Sequence, residues 1–360
     1  MVSTSQRLAK VFTELMEQGY LPDSLIRWGI RRLLQERVRA FNRRTPSKQL
    51  EANRQFLEEM RAAPVALVPD KANEQHYEVP AAFFERVLGP RRKYSCCYYP
   101  AGVTDLAEAE EVALALACER AQIRDGIRIL ELGCGWGSLT LWMAEHFPSS
   151  RITAVSNSHS QRTFIEHTCQ ERGFDNVHVI TCDMNDFVPP EVGYDRAVTV
   201  EMFEHMRNWP ELLRRIASWL SPEGRLFVHV FCHRECAYEF ETKEETDWMG
   251  REFFTGGMMP CDDLVLCCQD DLVVESHWRI DGLHYKKTCE AWLTNLDRQR
   301  AEIVPLFAST YGAHEAERWL QRWRVFFMAC SELFAFNRGR EWRVAHYLLK
   351  QRVKGAVSRE

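Results

Sequence analysis

The sequence lacks any apolar run long enough to cross a membrane or to act as a secretory signal. A membrane-spanning helix needs about 18 or more apolar residues with few charges, and no segment of the 360 residues approaches this. The first twenty residues are amphipathic rather than continuously apolar. We therefore expect a cytoplasmic protein.

Paired metal-binding motifs and a strong net charge are also missing. The thirteen cysteines are scattered, and the clusters at 232–236 and 267–268 do not have the paired C-x-x-C spacing of a structural zinc site. We interpret them as reduced thiols and expect no metal. The net charge of −5 gives no electrostatic reason to expect a polyanion, so no nucleic acid partner is expected.

The central part of the chain alternates short apolar runs with helical segments such as 139–146 and 161–172. This alternation predicts βαβ units, and hence a parallel sheet with helices on both faces. The fold class is therefore α/β, with a doubly wound, mostly parallel seven-stranded sheet. The predicted strands span 128–132, 152–155, 177–180, 194–200, 225–231, 273–278 and 342–348.

A glycine-rich loop, ELGCGWG, follows the first predicted strand. Gly133, Gly135 and Gly137 allow a tight turn and close approach of a ligand, at the strand ends where open α/β sheets bind their ligands. Dinucleotide folds require the spacing GxGxxG. Here the spacing is GxGxG, with Glu131 two positions before the first glycine, which resembles the S-adenosylmethionine loop of class I methyltransferases.

The ends of the second and third strands supply further cofactor candidates. Asp183 follows the third strand, where its carboxylate can accept the adenine amino group, while Met184 and Asn185 can flank the ring. The alternative is a loop with solvated acidic residues. The second strand ends without the Asp or Glu that usually binds a ribose, so we expect that contact from Ser156, Asn157 or Gln161.

Two carboxylates and an imidazole follow the fourth strand together, as Glu201, Glu204 and His205. In methyl transfer the protein mainly positions the nucleophile, and an amine nucleophile must also lose a proton. A carboxylate can bind the ammonium while histidine accepts the proton near neutral pH. The alternative is a helix start whose glutamates complement the dipole, but the position favours a catalytic role.

Several motifs together resemble the cyclopropane-fatty-acid-synthase superfamily, and within it the coclaurine N-methyltransferase branch. They are ELGCGWGSLTL, VEMFEHM, HYEVP, KYSCCYY, CERAQI and HYKKTCEAWL. The resemblance covers nearly the whole chain and implies a Rossmann-like class I methyltransferase that uses S-adenosyl-L-methionine, releases S-adenosyl-L-homocysteine and methylates a small aromatic or alkaloid-like amine. It implies that Glu204 and His205 handle the proton with Glu201 close by, and that Tyr94 and Ser95 contact the cofactor.

The resemblance also implies a substrate site. Tyr77 and Glu78, within HYEVP, are expected near the amine or the cofactor. Aromatic residues in the second half of the chain are candidates for an enclosed pocket, although any one of them is more often part of the core. These candidates are Phe254, Tyr285, Trp292, Trp323, Phe326 and Phe327.

Two alternatives to amine methylation stay open. Cyclopropane synthases are known for a bicarbonate site, and Cys96, Glu204, His229 and Tyr285 could supply its Cys, Glu, His and Tyr. That set would suit methylation or cyclopropanation of unsaturated lipid chains. The double cysteine at 96–97 and the ending EHM favour the amine enzymes. The second alternative is a protein that binds the cofactor without catalysing a reaction.

The chain divides into five predicted segments. They are an N-terminal helical segment (1–70), a segment covering cofactor and substrate (71–123), the cofactor-binding core (124–235), a lid and helical cap (236–340), and a final strand and tail (341–360). Within the first, one helix face carries Ile26, Ile30, Leu33, Leu34 and Phe41, and the other carries Arg27, Arg31, Arg32, Arg39, Arg43 and Arg44. Such a basic helix can bind a membrane, but a solvated face is the favoured interpretation. A monomer or homodimer is expected.

Overall fold

A computed structural model describes residues 4–67, 79–243 and 247–352. The helices of this part are α1 (Thr4–Glu17), α2 (Asp23–Asn42), α3 (Pro46–Ala62), α4 (Ala81–Val87), α5 (Leu106–Arg120), α6 (Ser138–His146), α7 (His159–Arg172), α8 (Trp209–Trp219), α9 (Trp248–Glu252), α10 (Gly282–Arg298), α11 (Arg300–Tyr311) and α12 (Ala316–Ala335). The strands are β1 (Arg128–Leu132), β2 (Arg151–Ser156), β3 (Val177–Thr181), β4 (Tyr194–Val200), β5 (Leu220–His233), β6 (Tyr238–Glu239), β7 (Met258–Met259), β8 (Leu272–Ile280) and β9 (Trp342–Gln351).

The seven predicted strands form one sheet in the order β3-β2-β1-β4-β5-β9-β8. Strands β1 to β5 are parallel, while β9 pairs antiparallel with both β5 and β8. The strand order reverses between β1 and β4, and in sheets of this type ligands bind at the carboxyl ends of the strands beside such a switch point. The predicted doubly wound α/β fold is confirmed, and the glycine loop and the EMFEHM segment lie at this edge.

The helical cap is built from α10, α11 and α12, which pack against one another and against α4. Aromatic side chains fill the space between them, with Trp323 in contact with Phe83, Phe253 and Phe327. Trp323 and Phe327 are almost completely buried. The cap therefore has its own apolar core beside the sheet.

The basic face predicted for α2 is only partly a solvated face. The guanidinium of Arg27 donates to Glu290 on α10 at 2.6 Å and to Glu332 on α12 at 3.0 Å, and Arg31 pairs with Glu332. Leu33, predicted on the buried face, is 46 % exposed. Two of the six arginines therefore form ion pairs with the cap, while Arg32, Arg39, Arg43 and Arg44 are exposed.

All thirteen cysteines are free thiols. Cys232 and His233, in one of the two cysteine clusters, are engaged within the protein: the Cys232 thiol donates to Asp262 and His233 pairs with Glu341. Within the described ranges, no helix is both long enough and apolar enough to span a membrane.

Candidate active site

The glycine loop forms a cradle between β1 and α6. The backbone N–H groups of Gly133 and Cys134 both donate to the Val155 carbonyl, at 3.0 and 2.9 Å, which ties the loop to β2. Gly133 and Gly135 have φ values of +79° and +53°, in a region of backbone conformation that residues other than glycine rarely adopt. A Cβ on Gly135 would project into open space. The loop therefore leaves room for a ligand against its backbone.

Two cavities open at this edge of the sheet and share part of their lining. Gly133, Gly135, Gln161 and His205 line both. The smaller cavity is bounded by the ends of β2 and β3, including the predicted residues Ser156, Asn157, Asp183 and Met184. The larger, of about 150 Å³, extends under the cap and is lined by the predicted residues Tyr94, Ser95, Glu131, Glu201, Glu204, His229, Phe254, Tyr285, Trp292 and Phe326.

The polar groups of this region fit an elongated ligand with several hydrogen-bonding atoms. Trp136 and Ser138 line the larger cavity, and neither the Trp136 Nε1–H nor the buried Ser138 hydroxyl has a hydrogen-bond partner among the described residues. Buried polar groups of this kind normally have partners. The Ser158 hydroxyl caps α7 by accepting from the Gln161 N–H, which fixes Gln161 at the cavity wall. S-adenosylmethionine, with its amino acid, ribose and adenine groups, can satisfy such donors.

Glu131 lies at the inner end of the loop with its carboxyl group buried. Burial raises the pKa of this carboxyl to about 8, and the Thr140 hydroxyl, which donates to it at 2.5 Å, lowers it only in part. A positively charged ligand atom beside this carboxyl group would lower its pKa and stabilise the carboxylate. The amino group of S-adenosylmethionine carries that charge.

Two predicted cofactor residues lie away from both cavities. Gly137 begins α6 with φ +78°, and a Cβ there would clash with Ile165. Glycine is required at this position because α6 packs closely against α7 there. The side-chain amide of Asn185 accepts from the Ala66 N–H at 2.9 Å and donates to the Ala66 carbonyl at 3.0 Å. Asn185 therefore anchors the N-terminal segment, and neither Gly137 nor Asn185 lines a cavity.

Glu201 is the most highly coordinated acid of the site. Its Oε1 accepts from the Cys96 backbone N–H at 2.9 Å and lies 3.2 Å from His229 Nε2, while its Oε2 accepts from the Tyr285 hydroxyl at 2.6 Å. Its backbone has φ +48°, which is rare for a residue with a side chain and costs energy that the surrounding structure must offset. The structure therefore imposes backbone strain to hold this carboxylate in place.

The charge of Glu201 is balanced within the cavity. Burial raises the pKa of Glu201 above its usual value, and the nearby Lys93 ammonium and the hydrogen bonds from Cys96 and Tyr285 lower it only in part. Lys93 is itself buried and donates to the Cys96 carbonyl at 2.8 Å. The sequence motif KYSCCYY placed Tyr94 and Ser95 at the site, but it carried no signal that the lysine before them is buried near Glu201.

The groups expected to form the bicarbonate site do not surround Glu204. The Cys96 backbone, His229 and Tyr285 all meet at Glu201 instead. The Cys96 side chain is directed to the Cys97 carbonyl and does not line the cavity. Glu204 lines the same cavity as Glu201, His229 and Tyr285, so its assignment to this group stays a prediction.

Glu204 and His205 share the short 3-10 helix Phe203–His205. Glu204 is 1 % exposed, and neither of its carboxyl oxygens has a hydrogen-bond partner of ordinary geometry within the described part of the chain. Burial, and then the charge of Glu201, raise its pKa well above the usual value. His205 stacks on Phe254 with ring centroids 4.8 Å apart. A buried acid and a half-buried imidazole thus lie where the two cavities meet.

The substrate side is partly as predicted. Phe254, Tyr285, Trp292, Phe326 and His229 line the larger cavity. Trp323 and Phe327 are core residues of the cap and do not line this cavity. Tyr77 and Glu78 lie outside the described residues. Residues that sequence reasoning missed also line the cavity, among them Lys93, Trp136, Ser138, Met249 and Phe334.

The glycine loop at the switch point, the two joined cavities and the buried carboxyl groups of Glu201 and Glu204 define a class I S-adenosylmethionine-dependent methyltransferase. Comparison with known proteins agrees with this. The family model of mycolic acid cyclopropane synthetase matches residues 68–342. A (S)-coclaurine N-methyltransferase of Thalictrum flavum subsp. glaucum is 39 % identical over 94 % of this chain and 94 % of its own. A pavine N-methyltransferase of the same plant is 34 % identical, covering 94 % and 95 %.

A crystal structure of coclaurine N-methyltransferase bound to N-methylheliamine and S-adenosylhomocysteine superposes with a TM-score of 0.91. It is 36 % identical in sequence and covers 97 % of this chain and 100 % of that chain. The chain therefore belongs to the mycolic acid cyclopropane synthetase family and is an S-adenosylmethionine-dependent N-methyltransferase. The predicted family, cofactor and enzyme class are confirmed.

Proposed function

We propose that this enzyme methylates the ring nitrogen of a benzylisoquinoline-type or related aromatic amine. In this proposal Glu201 binds the amine, and Glu204 and His205 remove its proton. The observation that carries the proposal is the position of His205. It lines both cavities at their junction, next to two carboxyl groups of the larger one. The names of the similar plant enzymes support an alkaloid amine as the substrate.

The cavity suits a flat, cationic aromatic amine. Apolar surface from the cap and the lid surrounds it, chiefly from Phe254, Trp292, Phe326 and Phe334. Aromatic faces attract both aromatic rings and cations. Glu201 supplies a negative charge held by three hydrogen-bonding groups, so an ammonium at that position would be paired rather than left as an isolated buried charge.

The proton of the amine must leave before the nitrogen can react. Glu204 is suited to accept it, because its raised pKa makes it a stronger base than an ordinary carboxylate. His205 lies beside it on the same short helix and is more exposed, so it can pass the proton outward. S-adenosylmethionine, when bound, supplies an electrophilic methyl group, and the nitrogen lone pair forms the new C–N bond as the S–C bond breaks.

The proposed roles of Glu204 and His205 are tested by substituting each residue in turn. We expect His205→Ala and Glu204→Gln to lower kcat for an amine substrate by about 10²-fold or more, the usual contribution of a general base. The affinity for S-adenosylmethionine, measured by calorimetry, should stay within about threefold of the wild-type value. The reason is that the glycine loop, and not Glu204 or His205, provides the main contact with the cofactor. His167→Ala, which removes an exposed histidine from α7, is the matched control.

An equal loss of kcat and of cofactor affinity in His205→Ala would show that this residue shapes the cofactor site instead. Unchanged kcat in both variants would refute the proposed acid–base pair.

A further inference from the structure

A line of polar side chains crosses the sheet behind the active site. His229 on β5 is in register with His346 on β9, which is in register with Trp278 on β8. Residues that are direct neighbours on adjacent strands place their side chains on the same face of the sheet. Both histidines are buried, with 4 % and 1 % of their surface exposed.

These side chains form a continuous hydrogen-bonded chain that ends at Glu201. His229 Nε2 lies 3.2 Å from Glu201 Oε1, and His229 Nδ1 lies 2.9 Å from His346 Nε2. His346 Nδ1 in turn lies 2.9 Å from an Nη1 of Arg120, at the end of α5. The Arg120 guanidinium rests over the Trp278 ring, 5.1 Å from its centroid.

The arginine determines the direction of every bond in this chain. A guanidinium only donates hydrogen bonds and keeps its charge in proteins, so His346 Nδ1 must accept. Burial lowers the pKa of both histidines well below the usual value, with the charges of Lys93 and Arg120 adding to the effect. Each imidazole is therefore neutral with one N–H. His346 then donates from Nε2 to His229 Nδ1, and His229 donates from Nε2 to Glu201.

We infer that Arg120 is a positioning residue: it fixes the tautomers of His346 and His229 so that an N–H, and not a lone pair, faces the Glu201 carboxylate. Arg120 itself does not line either cavity. Without it, His346 can carry its proton on Nδ1 and accept at Nε2. His229 then donates from Nδ1 and turns a lone pair toward Glu201, which favours protonation of that carboxyl group. The kinetic consequence rests on the proposed role of Glu201 in binding the ammonium.

Nitrogen NMR of ¹⁵N-histidine-labelled enzyme tests the tautomers directly, since the two nitrogens of a neutral imidazole have distinct signals. In the wild type we expect both His229 and His346 to be neutral with the proton on Nε2. In Arg120→Met we expect a population with the proton on Nδ1 to appear in both rings together. A wild-type spectrum showing Nδ1–H or an imidazolium at either position at neutral pH would overturn the inference without any variant.

Steady-state kinetics measure how much the tautomers fixed by Arg120 contribute to amine binding. We expect Arg120→Met to raise the KM for the amine about tenfold, with a smaller change in kcat and an unchanged affinity for S-adenosylmethionine. Arg120→Lys keeps a cationic donor and should recover most of the loss. Arg124→Met removes an exposed arginine four residues later and serves as the control. Equal kinetics for Arg120→Met and Arg124→Met would overturn the inference.

Glu201→Gln separates this inference from the function it rests on. If Glu201→Gln leaves the KM for the amine unchanged, the proposed role of Glu201 fails, whatever the histidine tautomers are. If it raises the KM while the wild-type tautomers are opposite to those expected, the role of Glu201 stands and that of Arg120 fails.

Discussion

Replacement of Tyr285 by phenylalanine removes the shortest hydrogen bond to Glu201 while keeping the ring. The hydroxyl donates to Glu201 Oε2 at 2.6 Å, and the ring stacks on Phe334 with centroids 4.3 Å apart. A hydrogen bond to a charged group contributes about 1.5–3 kcal/mol. If Glu201 acts as the anionic partner of the amine, kcat/KM should fall about 10- to 100-fold.

The pH dependence of this loss has a definite sign. The Tyr285 hydroxyl is one of the groups that lower the pKa of Glu201 against the effect of burial. Its removal raises that pKa further, so a larger fraction of Glu201 is protonated at any given pH. The deficit in kcat/KM should therefore grow as the pH falls, whereas affinity for S-adenosylmethionine should stay unchanged.

Tyr347→Phe is the matched control for the assay. Tyr347 is also buried, and its hydroxyl donates to the Asp262 carbonyl at 2.5 Å, on a part of the sheet that does not line the cavities. Steady-state kinetics over pH 6 to 9 with an aromatic amine should show the pH-dependent deficit for Tyr285→Phe and not for Tyr347→Phe. A Tyr285→Phe enzyme with the wild-type kcat/KM across this range would refute the role assigned to Glu201.

Two further predictions concern the cofactor loop. Gly135→Val places a branched side chain in the open space of the cradle, at φ +53°, so we expect calorimetry to show no binding of S-adenosylmethionine; a titration like that of the wild type would contradict this placement. Glu131 has a folded-state pKa of about 8, well above its unfolded value, so the ligand-free enzyme should lose stability as the pH rises from about 5 to 9. Glu131→Gln should flatten this decline in thermal unfolding, and parallel wild-type and variant curves would contradict it.

The strands and the glycine loop were predictable because they are local patterns. A buried parallel strand is a short apolar run, and the turn after β1 requires glycines in a spacing that can be seen directly in ELGCGWG. The position of Glu201, Glu204 and His205 at a strand end was likewise readable from the sequence. These features depend on contacts between residues close together in the chain.

Features that depend on register and packing were not predictable. Asn185 bonds to Ala66 across 119 positions, and Arg27 pairs with Glu290 across 263. The alignment of His229 with His346 requires the pairing of β5 with an antiparallel strand from the end of the chain. For the same reason, Trp323 and Phe327 could not be told from cavity aromatics until the cap helices were placed.

The most direct test of the account is methyl transfer from S-adenosylmethionine carrying a labelled methyl group. The wild-type enzyme would be offered tetrahydroisoquinoline and phenylalkylamine substrates and, separately, unsaturated phospholipid vesicles with and without bicarbonate. We expect mass spectrometry to show a gain of one labelled methyl group on the amine nitrogen and no change in the lipid. A methylene gain on the lipid that depends on bicarbonate, with no amine product, would contradict the proposed function.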